Sequence, residues 1–174
     1  MAIGQGYVTT TPLQMAQIVA AVANGGTLYT PSLINRIGEG GGAPEEMVPS
    51  QVAGLIPFDD ETLTAVQSAL DDVTSGRSGT AVFAMEGLKI PTAGKTGTAQ
   101  TPQPIPHAWF MGYAPSQPVT LADGRTIEEP EIAIAVIMEN AGEGSEVAAP
   151  IFRRVIELYY GIQPLTPYPW KSSG

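Results

Sequence analysis

One lysine lies among small and hydroxyl-bearing residues in the run TAGKTGTAQ, residues 92–100. On a β-strand, side chains alternate between the two faces, so Lys95 and Gly97 would share one face. Thr96 and Thr98 would project from the other. The ammonium and the hydroxyls can donate hydrogen bonds to a carboxylate, and a glycine leaves room for a ligand beside the backbone. The run therefore predicts a site for a peptide carboxylate at a sheet edge. An ordinary strand with a surface lysine is the competing interpretation, since the motif is short.

Other ionisable residues give little support to a different chemistry. His107 is the only histidine, and we expect it to be a loop or packing residue. Asp71 and Asp72 are neighbours on a predicted helix, where adjacent side chains point apart, so they are not expected to act as an acid–base pair. Arg153 and Arg154 are expected to face solvent on the last helix. A lone histidine without cysteines gives almost no support to a metal site, and we expect neither a metal nor a cofactor.

The composition limits the classes of function that the chain can have. Its 174 residues are enough for one domain with a core, and we take residues 1–174 as a single domain. The net charge is −9 and the eight lysines and arginines are scattered, so nucleic acid is not expected as a partner. The absence of cysteine excludes a disulfide framework, a thiolate metal site and a cysteine nucleophile.

The elements that would position Lys95 predict an α+β fold with an antiparallel sheet of about three strands and helices packed on it. Thr11 and Gln14 have the spacing of a capping box at the start of a first helix over 11–26. A second helix is predicted from near Asp59 to the SGRSG run at 75–79. Strands are predicted over 89–100, 107–115 and 131–140, and a last helix over 148–160 with Ile151, Val155, Leu158 and Tyr159 on its apolar side.

The KTGTAQ run resembles the third motif of the penicillin-binding proteins and serine β-lactamases, the K-T-G box. Further segments are similar to the same family in the same order: IGQGYVTTTPLQMAQIVAAVANGG (3–26), HAWFMGYAP (107–115), EIAIAVIMEN (131–140) and AAPIFRRVIE (148–157). The chain thus resembles the C-terminal part of the transpeptidase domain of a class B penicillin-binding protein. The AWF strand favours the elongation-type branch.

This resemblance implies an activity and a role for each residue of the motif. The activity is the D,D-transpeptidation that cross-links peptidoglycan stem peptides on the extracytoplasmic face of the bacterial cytoplasmic membrane, by an enzyme that β-lactams acylate. Lys95 would hold the active-site hydrogen-bond network and offset the charge of the substrate carboxylate. The hydroxyls of Thr96 and Thr98 would contact that carboxylate. The Thr98 N–H would be an oxyanion donor, and Gly97 would keep the edge open.

Two further motifs of the family, S-x-x-K and S-x-N, are absent from the chain. The residues three before the lysines are Glu86, Thr92 and Tyr168, and those two before the asparagines are Val22, Leu33 and Met138. Both motifs, and any membrane anchor, are expected upstream of Ile3. We therefore expect the chain alone to be inactive, because it lacks the nucleophilic serine. Two alternatives remain: a non-catalytic module that binds a peptide or partner along the KTGT edge, and a half that is active only beside a complementing chain.

The strand predicted at Glu131–Asn140 is apolar on both faces, so both faces are expected to be covered. In the family that the chain resembles, this last strand pairs with the first strand of the domain, which is not in this sequence. An unpaired strand edge promotes association. We expect this edge to be covered by a second copy of the chain, by an exchanged segment or by the proline-rich tail at 161–174.

Overall fold

The computed structural model describes Gly6 and residues 8–38 and 46–164. The helices are α1 (Pro12–Ala23), α2 (Asp60–Ser75), α3 (Val82–Met85) and α4 (Ala149–Tyr159), with a π-helical turn at Gly144–Ala148 before α4. The strands are β1 (Thr27–Tyr29), β2 (Arg36–Ile37), β3 (Glu46–Met47), β4 (Val52–Leu55), β5 (Ala93–Ala99), β6 (His107–Ala114), β7 (Val119–Thr120), β8 (Thr126–Ile127) and β9 (Ile132–Met138). Most of the proline-rich tail, residues 165–174, lies outside the described part.

A three-stranded antiparallel sheet in the order β5-β6-β9 forms the centre of the fold. Lys95 is opposite Met111 and Gly97 is opposite Trp109 in the β5–β6 pair. The three predicted strands and the α+β fold are confirmed, although the first strand begins at Ala93 rather than at Lys89. The remaining six strands form three small antiparallel pairs: β1 with β4, β2 with β3, and β7 with β8.

Helices cover both faces of the central sheet. On one face, Phe152 and Ile156 of α4 join Phe110 of β6 in the larger buried cluster, and Ile134 and Val136 of β9 pack against it. On the other face, Val19 of α1 is buried with Ala93 and Tyr113, and Leu70 of α2 packs against them. The prediction that both faces of the last strand are covered is therefore confirmed.

Two glycines create a hollow in the sheet beneath α4. Gly94 and Gly112 are directly opposite each other in the β5–β6 pair. A Cβ atom at Gly94 would lie 2.6 Å from the Phe110 ring, and one at Gly112 would lie 3.0 Å from the same ring and 3.1 Å from the Phe152 ring. The two rings fill the hollow, with their centroids 4.7 Å apart.

The first two long helices begin where the sequence predicts. In α1, the Gln14 N–H donates to Thr11 Oγ1 over 3.2 Å, and the Thr11 N–H donates to Gln14 Oε1 over 2.8 Å, which is a capping box. In α2, Asp59 Oδ1 accepts from the Thr62 N–H at 2.7 Å. Hydrogen bonds from the Thr62 hydroxyl and from the Thr62 N–H favour the ionised carboxylate and hold the pKa of Asp59 below its ordinary value of 3.8.

The last helix presents a different face to the sheet from the one predicted. Phe152, Ile156 and Tyr160 are buried, whereas Leu158 is 64% and Tyr159 53% exposed. The predicted apolar side, which comprises Ile151, Val155, Leu158 and Tyr159, and the buried side both follow helical spacing. Periodicity alone therefore does not show which side is buried.

The prediction that Arg153 and Arg154 face solvent is wrong. Their side chains are only 12% and 28% exposed, and each forms an ion pair with Glu157, which is 1% exposed. Arg153 also donates to the carbonyl oxygens of Ala84 at 3.0 Å and Glu86 at 2.7 Å. The two arginines thus compensate a buried carboxylate, and Arg153 ties α4 to the α3 region.

Candidate active site

The Lys95–Thr98 run lies in the middle of β5, at one side of the central sheet. In the described part of the chain, β6 is the only strand paired with β5, so the outer edge of β5 has no strand neighbour. Lys95 is exposed and Gly97 is half-buried. A Cβ atom at Gly97 would lie 3.2 Å from the Trp109 Cβ, so this glycine accommodates the neighbouring strand as well as leaving the edge open.

Lys95 borders a cleft between β5 and the end of α2. The cleft has a volume of about 360 Å³. It is lined by Lys95, by Asp72 of α2 and by the turn that follows α2, including Gly76, Arg77 and Thr80. The Lys95 ammonium donates to the Thr96 carbonyl oxygen at 2.7 Å, which leaves two of its three hydrogens for a ligand in the cleft.

The hydroxyls of Thr96 and Thr98 both have partners within the protein. Thr96 Oγ1 lies 2.8 Å from Thr80 Oγ1, and either oxygen can be the donor. Thr98 Oγ1 donates to Glu143 Oε2 over 2.6 Å. Sequence reasoning missed both partners. Thr80 lies in the turn after α2 and Glu143 lies before the π-helical turn, and no local pattern marks either residue as close to β5.

The segment that carries Glu143 is fixed at the end of the sheet. The Asn140 N–H donates to His107 Nδ1 at 2.9 Å. The N–H groups of Ala141 and Gly142 donate to the Pro106 carbonyl oxygen at 3.0 and 3.1 Å. His107 therefore holds a loop in place, as expected for a packing or loop residue.

The two adjacent aspartates face different surroundings. Asp71 accepts from the Ser116 hydroxyl at 2.7 Å and from the Ser75 hydroxyl at 2.8 Å, whereas Asp72 lines the cleft. Burial, with Asp71 as a smaller cause, raises the pKa of Tyr113 to about 12. The two carboxylates do not converge on one point, in agreement with the prediction that they do not form an acid–base pair.

Comparison with known proteins decides the family. The family described as "Penicillin binding protein transpeptidase domain" matches residues 1–157. The chain belongs to this family. Its relatives include the peptidoglycan D,D-transpeptidase MrdA of Haemophilus influenzae, which is 32% identical over 90% of this chain and 25% of its own length.

Solved penicillin-binding proteins share the fold as well. The PBP2 of Pseudomonas aeruginosa in complex with WCK 5153 gives a TM-score of 0.69 at 33% identity, over 90% of this chain and 31% of that one. The imipenem acyl-enzyme complex of penicillin-binding protein A from Mycobacterium tuberculosis gives a TM-score of 0.69 at 28% identity, over 91% and 32%. The predicted assignment to the transpeptidase domain of a class B penicillin-binding protein is confirmed. The names MrdA and PBP2 agree with the preference for the elongation-type branch.

This penicillin-binding protein chain is short beside its relatives. It spans a quarter to about a third of their lengths. No helix within the described residues is long and apolar enough to cross a membrane.

Proposed function

We propose that this chain is the C-terminal part of a transpeptidase domain, and that its parent protein is a peptidoglycan D,D-transpeptidase that β-lactams acylate. The observation that carries the proposal is the position of Lys95, Thr96 and Thr98 on an open-edged strand beside a cleft, in a chain of the penicillin-binding family. The predicted single domain, residues 1–174, is on this proposal one piece of a larger fold.

Exposed apolar side chains support the view that a preceding part of the parent domain packs here. Extensive apolar surface marks a region that another surface covers. Among the described residues up to Phe58, the exposed large apolar ones are Val8, Leu13, Ile18, Tyr29, Leu33, Ile34, Ile37, Met47, Val52, Leu55 and Phe58. We propose that the part of the parent protein upstream of Ile3 covers them and carries the S-x-x-K and S-x-N motifs.

Each residue of the KTGT run has a proposed role in the reaction. Lys95 offsets the charge of the substrate carboxylate and donates hydrogen bonds to it. The hydroxyls of Thr96 and Thr98 bind the same carboxylate. The Thr98 N–H stabilises the oxyanion of the tetrahedral intermediate, a type of contact worth about 10²–10³ in rate. Gly97 lets the substrate backbone lie along the edge of β5.

The nucleophile of the proposed reaction is a serine in the upstream part. Its Oγ attacks the penultimate carbonyl of the D-Ala-D-Ala donor, and the serine proton passes through a neighbouring base to the amine of the departing D-alanine. An acceptor amine then displaces the serine and forms the cross-link. A β-lactam acylates the serine in the same way as the donor in the first step, but its leaving amine stays attached through the opened ring. Because this chain has no S-x-x-K motif, we propose that it is inactive alone.

The location and assembly of the parent protein follow from the same proposal. We place it in the bacterial cell envelope, on the extracytoplasmic face of the cytoplasmic membrane, with any anchor in the upstream part. For the isolated chain, we propose that the open edge of β9, within Glu131–Asn140, pairs with a second copy or takes up an exchanged strand. The support is that β6 is the only strand paired with β9 in the described part of the chain.

Intact mass measurement before and after excess benzylpenicillin tests the proposal. The chain of residues 1–174 is expected to gain no mass. The parent protein is expected to gain the mass of one benzylpenicillin, because the ring opens without losing atoms. In the parent, Lys95→Ala is expected to slow acylation by about 10- to 100-fold, because it removes a charged hydrogen bond to the ligand carboxylate.

Lys89→Ala is the matched control, because Lys89 is also exposed but precedes β5. An adduct on the chain alone would contradict the missing-nucleophile proposal. A parent protein that stays unmodified would contradict the proposed activity, and equal rates for the two lysine variants would contradict the role of Lys95.

A further inference from the structure

A carboxylate of the chain itself occupies one of the two proposed carboxylate-binding hydroxyls. Thr98 Oγ1 donates to Glu143 Oε2 over 2.6 Å, a short hydrogen bond to a charged acceptor. A hydroxyl has a single hydrogen to donate. While this bond exists, the Thr98 hydroxyl has no hydrogen left for the carboxylate of a ligand.

The two threonines differ in this respect. The partner of Thr96 is the hydroxyl of Thr80, at 2.8 Å, and either oxygen can be the donor. Thr96 can therefore accept a hydrogen bond from Thr80 and donate its own hydrogen to a ligand. The carboxylate of Glu143 has no hydrogen when ionised, so in its bond with Glu143 the Thr98 hydroxyl must be the donor and cannot become the acceptor.

The backbone on both sides of Glu143 holds the carboxylate close to β5. A Cβ atom at Gly144 would overlap the carbonyl oxygens of Trp109 and Gly97, so the chain passes against the strands at van der Waals distance. The N–H of Val147 donates to the Glu143 carbonyl oxygen at 3.1 Å. Release of Thr98 thus requires only rotation of the exposed Glu143 side chain and no movement of the segment.

We propose that Glu143 is a specificity-determining residue, an internal carboxylate that competes with the carboxylate of an incoming substrate or β-lactam for the Thr98 hydroxyl. The inference rests on the proposed function of the KTGT run. It follows that a ligand must displace Glu143 from Thr98 or bind beside its negative charge. Glu143 therefore slows acylation by ligands that carry a carboxylate.

The Glu143→Gln variant of the parent protein tests this competition. Glutamine keeps an oxygen that can accept from Thr98 but removes the charge, and a neutral hydrogen bond is roughly half as strong as a charged one. The second-order rate constant for acylation by benzylpenicillin, followed by intact mass, is expected to rise about five- to ten-fold. With benzylpenicillin methyl ester, which has no negative charge, the rate constant is expected to change by less than about two-fold.

Glu146→Gln is the matched control, because it removes the same charge from an exposed side chain of the same segment. It is expected to leave both rate constants unchanged. Equal rates for the two glutamine variants, or a rise that is the same for the acid and the ester, would overturn the inference while the proposed function stands. A wild-type parent that neither compound acylates would overturn the proposed function and this inference with it.

Discussion

Gly144 is packed against the backbone of β5 and β6, where any side chain would collide with the carbonyl oxygens of Gly97 and Trp109. Gly144→Ala is therefore expected to destabilise the chain by about 1–3 kcal/mol, the usual cost of overpacking. Urea unfolding followed by circular dichroism measures the change. Gly54→Ala is the control, because a Cβ atom there meets nothing within 4 Å, and a loss as large as that of Gly144→Ala would contradict the packing explanation.

At the scale of the residue, sequence reasoning could name only candidate site residues that are close together in the chain. Lys95, Gly97 and the threonines lie within one strand, so their alternation follows from strand geometry alone. Glu143 is 45 residues from Thr98 along the chain, and their contact depends on the pairing of three strands and on the loop after β9. No periodic or local pattern contains that information.

At the scale of the element, the start of α2 makes stability depend on pH. Hydrogen bonds from the Thr62 hydroxyl and N–H lower the pKa of Asp59 in the folded chain, so the ionised form stabilises the fold. This contribution is fully present above the ordinary pKa of 3.8 and is lost as the pH falls through the lower folded value. Asp59→Asn keeps a capping oxygen that does not titrate.

Urea midpoints of the wild type and of Asp59→Asn between neutral pH and about pH 3 test this dependence. The wild type is expected to lose more stability on acidification than the variant. The other carboxylates contribute equally to both proteins, so parallel curves would contradict a role for Asp59.

Helix starts were predictable because their signals are local, whereas the buried face of α4 was not. The capping box of α1 needs only Thr11 and Gln14. In α4, two neighbouring apolar stripes have the same spacing, and contact with Phe110 of the sheet decides which of them is buried. The prediction that Arg153 and Arg154 face solvent failed because arginine side chains are long. Their stems can lie along the fold while Glu157 binds their guanidinium groups.

At the scale of the whole molecule, the edge of β9 that pairs with no described strand is expected to cause association of the isolated chain. Light scattering at increasing concentration should show a rise in mass above the 18.2 kDa monomer, with slow amide exchange along 132–138. Met138→Lys, at the end of β9, is expected to shift the chain toward the monomer, since edge lysines oppose strand pairing. Met47→Lys on β3 is the control, because Met47 is also exposed. A monomer with rapid exchange along β9 would contradict pairing through this edge.

The hollow formed by Gly94 and Gly112 has a consequence for the orientation of the active-site wall. A slip of β5 by one residue would turn Lys95 toward α4 and both threonines toward α2, reversing every contact of the cleft. A slip by two residues would keep the alternation but place side chains where the Phe110 ring now rests. The packing of the Phe110 ring against Gly94 and Gly112 therefore favours the observed alignment of the two strands, from the opposite face of the sheet to Lys95. A fully buried residue thus contributes to the direction in which the exposed lysine points.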